Sequence, residues 1–476
     1  MMHDLLLDAL LLMILWLYAM LLWVWRRRQA TTSPADHRSA KRSTRHVQDP
    51  KPFPGLTTKP CCPAREHAPP PPPPRPACPP PLPRSPRGRR RQVAAPQHYC
   101  PTPECDYYGW TGRGHLRANG HPSGGRWRQW HCLVCGGYFL ESHGTFFHGK
   151  RVSPEQLVWA VAALAEGLGI RAVGRVFAVD PNTVLQWLVE AADQAAACSQ
   201  YFLHDMRVSQ VQLDELFALI SAVKASQVSE GQAIERLSRS PRWVWGAIEP
   251  VTTLLLTIDV GERTLATAQF LVHRVGEVLA PGCLPLFLTD GFKENTTALL
   301  THFGPWVQSP RRQATGPAPK PRCMPRPALL YAQVIKQHRR RRVVHVCHRV
   351  GFGTLAEVKQ VLAAQGWQIN TAFIERANGA IRQHVAAVGR RVITLCKGED
   401  GLRQQLVLYQ TYHNLCLPHA TLRQALPQPR STHGTGSAKC WRLCTPAMAA
   451  GLTDHVWSLR EVLWFRVPPW PQSQAL

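Results

Sequence analysis

The sequence predicts an α/β fold preceded by two smaller modules, and three observations carry that expectation. Residues 208–305 alternate between strand-like and helix-like stretches. Two strand-like runs carry an aspartate at or near their ends: Val-Gln-Leu-Asp-Glu-Leu (211–216) holds Asp214, and Cys-Leu-Pro-Leu-Phe-Leu-Thr-Asp (283–290) closes on Asp290, with Gly291 after it. A later helical stretch, Asn-Thr-Ala-Phe-Ile-Glu-Arg-Ala-Asn-Gly (370–379), carries Glu375.

Taken in order, the first 25 residues stand apart. Ala9 to Trp25 is an uncharged apolar run of 17 residues, and Arg26, Arg27 and Arg28 follow it. That length is at the lower end of a membrane span, and the arginines would leave the bulk of the chain in the cytoplasm. The absence of a basic leader and of a small-residue cleavage site argues against a cleaved signal peptide. Two readings of residues 5–25 stay open, a membrane anchor and a misassigned start.

Residues 26–95 carry 18 of the 42 prolines, including Pro69–Pro74. Such a composition cannot bury a core and predicts a disordered basic linker. Residues 26–91 also hold 16 Lys and Arg against 3 Asp and Glu, half of the formal net charge of +26. A surplus of that size points to a polyanionic partner, nucleic acid or an anionic membrane surface, against the plainer reading of solubility charge.

The 15 cysteines are odd in number and lack the spacing of a secreted disulfide scaffold, which suits a reducing compartment. Four of them form two knuckles, Cys100-x4-Cys105 and Cys132-x2-Cys135, with Gly136 and Gly137 permitting a tight turn. Four thiolates at this spacing predict a zinc ribbon holding one tetrahedral Zn²⁺ over residues 96–148. His98 and His131 lie close by and are read as bystanders.

Residues 150–205 read as helices. Ser153-Pro154-Glu155 is a helix start, and Leu157, Val161, Leu164 and Leu168 recur at helical spacing. Next, 170–177 and the helix opening at Pro181 are joined by Ala178, Val179 and Asp180. That is helix-turn-helix geometry, with Asn182, Thr183 and Gln186 facing base edges. A helical hairpin inside a core has the same pattern.

In 206–430, Trp243–Ile248 and Leu254–Val260 are strand-like, Leu265–Leu279 is an amphipathic helix, and the strand ending at Asp290 follows. Residues 310–327 are rich in Pro and basic residues and read as a loop or insertion. A basic hairpin is expected from Leu329 to Val350, with Arg339, Arg340, Arg341 and Arg342 at its turn. Four adjacent arginines fit a solvated loop; beside a catalytic centre they also fit phosphate contact. On the Glu375 helix, Ile374, Ala377, Ile381, Val385 and Val388 form an inward stripe. Glu375, Asn378 and Arg382 form the neighbouring stripe, suited to lie along a DNA backbone. Two strand-end aspartates and a helix-borne glutamate are the oxygen ligands that a two-metal phosphoryl-transfer site needs. Glu215 alternates to the opposite side of its strand and is the poorer ligand.

In this order the chain resembles a bacterial insertion-sequence DDE transposase. The matching segments are Leu-Asp-Glu (213–215), Thr-Asp-Gly (289–291) and Asn-Thr-Ala-Phe-Ile-Glu-Arg-Ala-Asn (370–378), with Tyr412-His413-Asn414 to Pro418-His419 and residues 445–455 after them. The resemblance spans residues 98–465. It implies a ribonuclease H-like fold, with Asp214 on the first strand, Asp290 on the fourth and Glu375 on a following helix. It implies two Mg²⁺ (or Mn²⁺) ions held by those three, strand cleavage by water, and transfer of the freed 3′-hydroxyl to target double-stranded DNA. A cytoplasmic, nucleoid-associated homo-oligomer is also implied. His419 is expected near the site or in a structural hydrogen bond, and 431–476 is expected to be a C-terminal tail. Competing readings are a catalytically silent DNA-binding derivative and a membrane-tethered protein whose linker meets lipid headgroups.

Overall fold

In the computed structural model, the described residues are 97–219, 241–310, 319–340, 342–388, 396, 398–431 and 437–470. The apolar start, the proline-rich linker and Arg341 lie outside them. Among the described residues, no helix is long and apolar enough to cross a membrane.

A six-stranded mixed sheet organises the second half of the chain. Its strands are β4 (Gln210–Leu219), β5 (Pro241–Glu249), β6 (Leu254–Gly261), β7 (Leu286–Thr289), β10 (Tyr331–Arg339) and β11 (Arg342–Phe352). The spatial order is β11-β10-β7-β4-β5-β6. β4, β5 and β6 pair antiparallel, and β7 and β10 run parallel to β4. Between β7 and β10 in the chain, β8 (Trp306–Val307) and β9 (Arg322–Cys323) form a short antiparallel pair of their own. The six-stranded architecture is compatible with a ribonuclease H-like core.

Helices cover both faces. α4 (Leu265–Val278) and α5 (Glu294–Phe303) bury Leu271, Val272, Val275 and Leu299 against Leu213, Trp245 and Phe287. On the other face, α7 (Ala372–His384) and α8 (Glu399–Thr411) bury Ile374, Ile381, Leu402 and Leu406 against Leu216, Val244 and Leu255. α6 (Leu355–Ala363) covers β7 and β10 through Val358 and Leu362. Burying such apolar side chains contributes roughly 1.5–3 kcal/mol each and is what holds the layers together. The expected inward stripe is buried throughout, although the helix stops at His384 and Val385 and Val388 pack from the chain beyond it.

β6 is an edge strand, and edge strands carry unpaired backbone groups. A π turn, Tyr412–Cys416, extends α8 and supplies partners. The Asn414 amide exchanges two 2.9 Å hydrogen bonds with the Leu255 backbone. Gln410 donates to the Leu255 and Leu256 carbonyls, and His413 Nε2 lies 3.0 Å from the Thr253 carbonyl. Burial pushes the His413 imidazole down to about 4, so it stays neutral.

Ahead of the sheet lie β1 (Leu116–Ala118), β2 (Gln129–Cys132) and β3 (Tyr138–Leu140), a small antiparallel sheet. α1 (Pro154–Ala165), α2 (Ile170–Phe177) and α3 (Pro181–Phe202) follow. Ser153 caps α1 by accepting from the Gln156 N–H, as its sequence signature predicts. The C-terminal segment corrects its reading as a tail. Ala447, Leu459, Val462 and Leu463 are buried in the core of α1–α3, and the Gln194 amide donates to the Phe465 carbonyl. Arg466 is buried against the Tyr99 and Phe139 rings, which ties the same segment to the small sheet.

Candidate active site

Asp214 lies in the middle of β4, an interior strand between β7 and β5, and faces α7. Opposite it on β5 is Gly246, where a Cβ would stand 3.4 Å from the Ile374 δ-methyl. Two residues before Asp214, and so on the same face, the buried Gln212 binds the start of α7. Its amide donates to the Asn370 carbonyl (3.0 Å), and its oxygen accepts from the Ile374 N–H (3.1 Å). One turn further along the helix, the Asn378 amide donates to Asp214 at 2.8 Å. α7 is thus pinned to β4 on either side of Glu375.

Asp290 is the first residue beyond β7. Its carboxylate accepts from the Phe292 N–H at 2.9 Å, an aspartate turn that ends the strand. The Thr289 hydroxyl donates to the Asp290 carbonyl (2.8 Å) and meets the Tyr331 hydroxyl (3.0 Å). Because β7 lies next to β4 in parallel, this strand end falls beside Asp214.

Glu215 points to the α4–α5 side, as alternation requires, yet its carboxylate comes close to those of Asp214 and Asp290. Asp214, Glu215 and Asp290 each offer an oxygen, and these lie within 4.8 Å of one another. Glu215, which alternation alone would place away from the site, thus lies beside the two aspartates. Its side chain is only 1% exposed and is held by Arg263 (3.1 Å) and the Asn295 amide (3.3 Å). Arg263 also reaches Asp290 at 3.4 Å and lies over the Phe292 and Trp243 rings. Glu215 had a sequence signal in its adjacency to Asp214. Gln212, Arg263 and Asn295 had none, since they meet the site only through the fold.

Glu375 is not in that group of three. Its carboxylate accepts from the Thr371 hydroxyl (2.6 Å) and pairs with Lys336 of β10. Its charge still reaches Asp214. Burial, then the charge of Asp290, and also that of Glu375, push the Asp214 carboxyl up to about 7, against a bond from the Glu215 N–H that favours the anion. Burial and Asp290 likewise push Glu215 up to about 7, with Arg263 opposing. The site holds more negative charge than its own cations relieve, which is the electrostatic condition for taking up a divalent ion.

The remaining predicted residues separate. Asn378 is buried on Asp214, which corrects its assignment to a DNA backbone. Arg382 is half-buried on the same helix. Arg339 and Arg342 close the β10–β11 hairpin as a cross-strand pair, and with Arg340 (φ +49°) they are exposed. Asn182 and Gln186 are exposed and Thr183 is half-buried at the start of α3, whose first residue follows the Asp180 cap. Gly174 allows the α2–α3 turn, because a Cβ there would stand 2.8 Å from the Val179 carbonyl. Arg171 and Arg175 are exposed on α2. His419 sits away from the carboxylates, beside the Thr253 hydroxyl (3.5 Å) and the His413 ring.

Cys100, Cys105, Cys132 and Cys135 converge on one point. The Cys100–Cys135 and Cys105–Cys132 sulfur separations are 3.6 and 3.8 Å. A tetrahedral ion with metal–sulfur bonds of about 2.3 Å requires sulfur–sulfur edges of about 3.8 Å. The thiol group thus fits a tetrahedral ion. His98 and His131 stack on Trp130 and Tyr138 instead.

No protein-family model matches the chain, and no curated protein matches it. Among solved structures, the Mos1 strand transfer complex matches over 31% of this chain and 55% of that one, at 16% identity and a TM-score of 0.13. The match spans about half of that chain's length, and a likeness this slight carries no argument about fold or reaction.

Proposed function

We propose that the chain is a DNA transposase of the DDE type, cutting and joining phosphodiesters at the ends of an insertion sequence. The observation that carries this reading is the group of Asp214 and Glu215 from the middle of β4 with Asp290 at the end of β7, oxygens within 4.8 Å, lying beneath the helix that bears Glu375. Asp214, Asp290 and Glu375 would hold two Mg²⁺ or Mn²⁺ ions, whose chemistry is to activate an oxygen nucleophile and offset charge on the phosphodiester. Arg263, held by the buried Glu215, orients Asp290, and Asn295 fixes Glu215 in turn. Asn378 orients Asp214. Lys336 neutralises Glu375 and is placed to meet a substrate phosphate when that carboxylate turns toward the aspartates.

In this reading the four cysteines form a zinc ribbon, and α2 and α3 a helix-turn-helix. α3 carries no Lys or Arg. Phosphate contact would therefore fall to Arg171 and Arg175, while Asn182, Thr183 and Gln186 read base edges. Arg339, Arg340 and Arg342 extend a basic path from Lys336 along the hairpin.

The engagement of Glu375 by Lys336 favours a second reading, a DNA-binding derivative that no longer cuts. Both are tested with a plasmid carrying the sequences that flank the gene, nicked in Mg²⁺. The first expects nicking by the wild type and none by Asp214→Ala, Asp290→Ala or Glu375→Ala, with end binding retained. A variant that nicks at the wild-type rate removes its residue from the site; a wild type that binds but never nicks establishes the second reading.

A further inference from the structure

β12 (Gln424–Arg430) and β13 (Lys439–Arg442) form a two-stranded ribbon beyond α8, separate from the carboxylate site. Ala425 pairs with Trp441 and Arg430 with Lys439. Between these pairs the first strand has four residues, Leu426–Pro429, where the second has one, Cys440, so the first strand bulges. Beside the bulge lies an open cavity of about 550 Å³, within the range of roughly 300–1,000 Å³ typical of ligand sites.

Cross-strand partners, and residues two apart, share a face. Arg430, Lys439 and Trp441 therefore face the same way. The small Ala425 opposite Trp441 leaves room over that part of the ribbon. Trp441 remains 42% exposed, with the Arg423 guanidinium 4.3 Å from its ring centroid. Arg442 also lines the cavity, and among the described residues no acidic side chain does. Pro427 and Pro429 lack N–H groups, so β12 is a poor template for a strand from a second copy. Cations around an exposed indole suit an anion that carries a flat ring.

We propose that this cavity binds an unpaired nucleotide of single-stranded DNA, the base on Trp441 and the flanking phosphates on Arg430 and Lys439. A base inside a duplex already has both faces stacked, so only an unpaired one has a face to give the indole. The inference rests on the transposase reading, in which strand cleavage leaves unpaired ends near the protein.

The test measures binding of the full chain to fluorescein-labelled dT12 and to a 20-base-pair duplex, by anisotropy at fixed salt. Trp441→Leu, and separately Arg430→Gln with Lys439→Gln, should each weaken dT12 binding roughly tenfold and leave duplex binding and Mg²⁺-dependent nicking unchanged. Unchanged dT12 affinity in both variants overturns the inference alone. Displacement of dT12 by equimolar dTMP overturns it too, since the occupant is then a free nucleotide. A wild type that binds neither DNA overturns the inference and the transposase reading together.

Discussion

Asp214→Asn isolates the electrostatic strain of the carboxylate site. In the fold, the Asp214 carboxyl takes its proton at about 7, against an ordinary 3.8. The folded state therefore binds that proton more tightly than the unfolded chain does. Stability from this group is present at low pH and is lost as pH rises from about 4 to about 7. The gap is worth about 4 kcal/mol for Asp214 taken alone. Because Glu215 and Asp290 share the same field, about 2–4 kcal/mol is the expected gain on removing one charge. Asparagine keeps an oxygen for the Asn378 amide, so the neighbouring packing is retained. The assay is thermal unfolding at pH 5 and pH 8, with and without Mg²⁺, in chelator-free buffer to spare the cysteine centre. Without Mg²⁺, the wild type should melt lower at pH 8 than at pH 5, and Mg²⁺ should raise it at pH 8. Asp214→Asn should melt higher than the wild type at pH 8 without Mg²⁺ and gain little from the ion. A variant that is less stable than the wild type under that condition, or that keeps the full response to Mg²⁺, refutes the reasoning.

Three further outcomes are expected. Cys135→Ser should lower bound zinc, measured by atomic emission, from one ion per chain to a small fraction, and loosen residues 99–140 in hydrogen exchange; full zinc retention would remove Cys135 from the ligand set. Gln212→Ala removes two bonds that anchor α7 and should cost about 1–3 kcal/mol in urea unfolding, with faster amide exchange at 372–378; an unaltered exchange pattern would show that α7 is held by its apolar stripe alone. Arg339→Gln with Arg340→Gln and Arg342→Gln should flatten the dependence of log K for duplex binding on log salt by roughly 0.9 for each phosphate no longer neutralised. An unchanged slope would take the hairpin out of the DNA interface.

Much of the layout was legible because periodicity is a local property. Alternation around Asp214, the apolar run to Asp290 and the 3.6-residue stripe through Ile374, Ala377 and Ile381 each appear within a short window, and each lies in an element of the expected type, with the second strand and the helix shorter than their patterns. The cysteine spacing anticipated the convergence of four thiols for the same reason. The Tyr412–His419 segment was visible as a motif, but its work was not. Only the fold shows Asn414 and Gln410 supplying partners to the edge strand β6.

By itself, the sequence determined which residue types could do chemistry and which stretches could be strands or helices, since side-chain identity and spacing are written along the chain. The tertiary structure decided who meets whom. Glu215 joins Asp214 and Asp290 because the end of β7 falls beside the middle of β4, and Arg263 and Asn295 reach it from distant elements. Asn378 turns inward to Asp214, while Glu375 is drawn to Lys336 across the sheet. Residues 459–463 became part of the core because the helical module has an apolar face that Leu459, Val462 and Leu463 help to cover. Contacts between residues far apart in sequence follow from packing, and no local window of the chain contains that information.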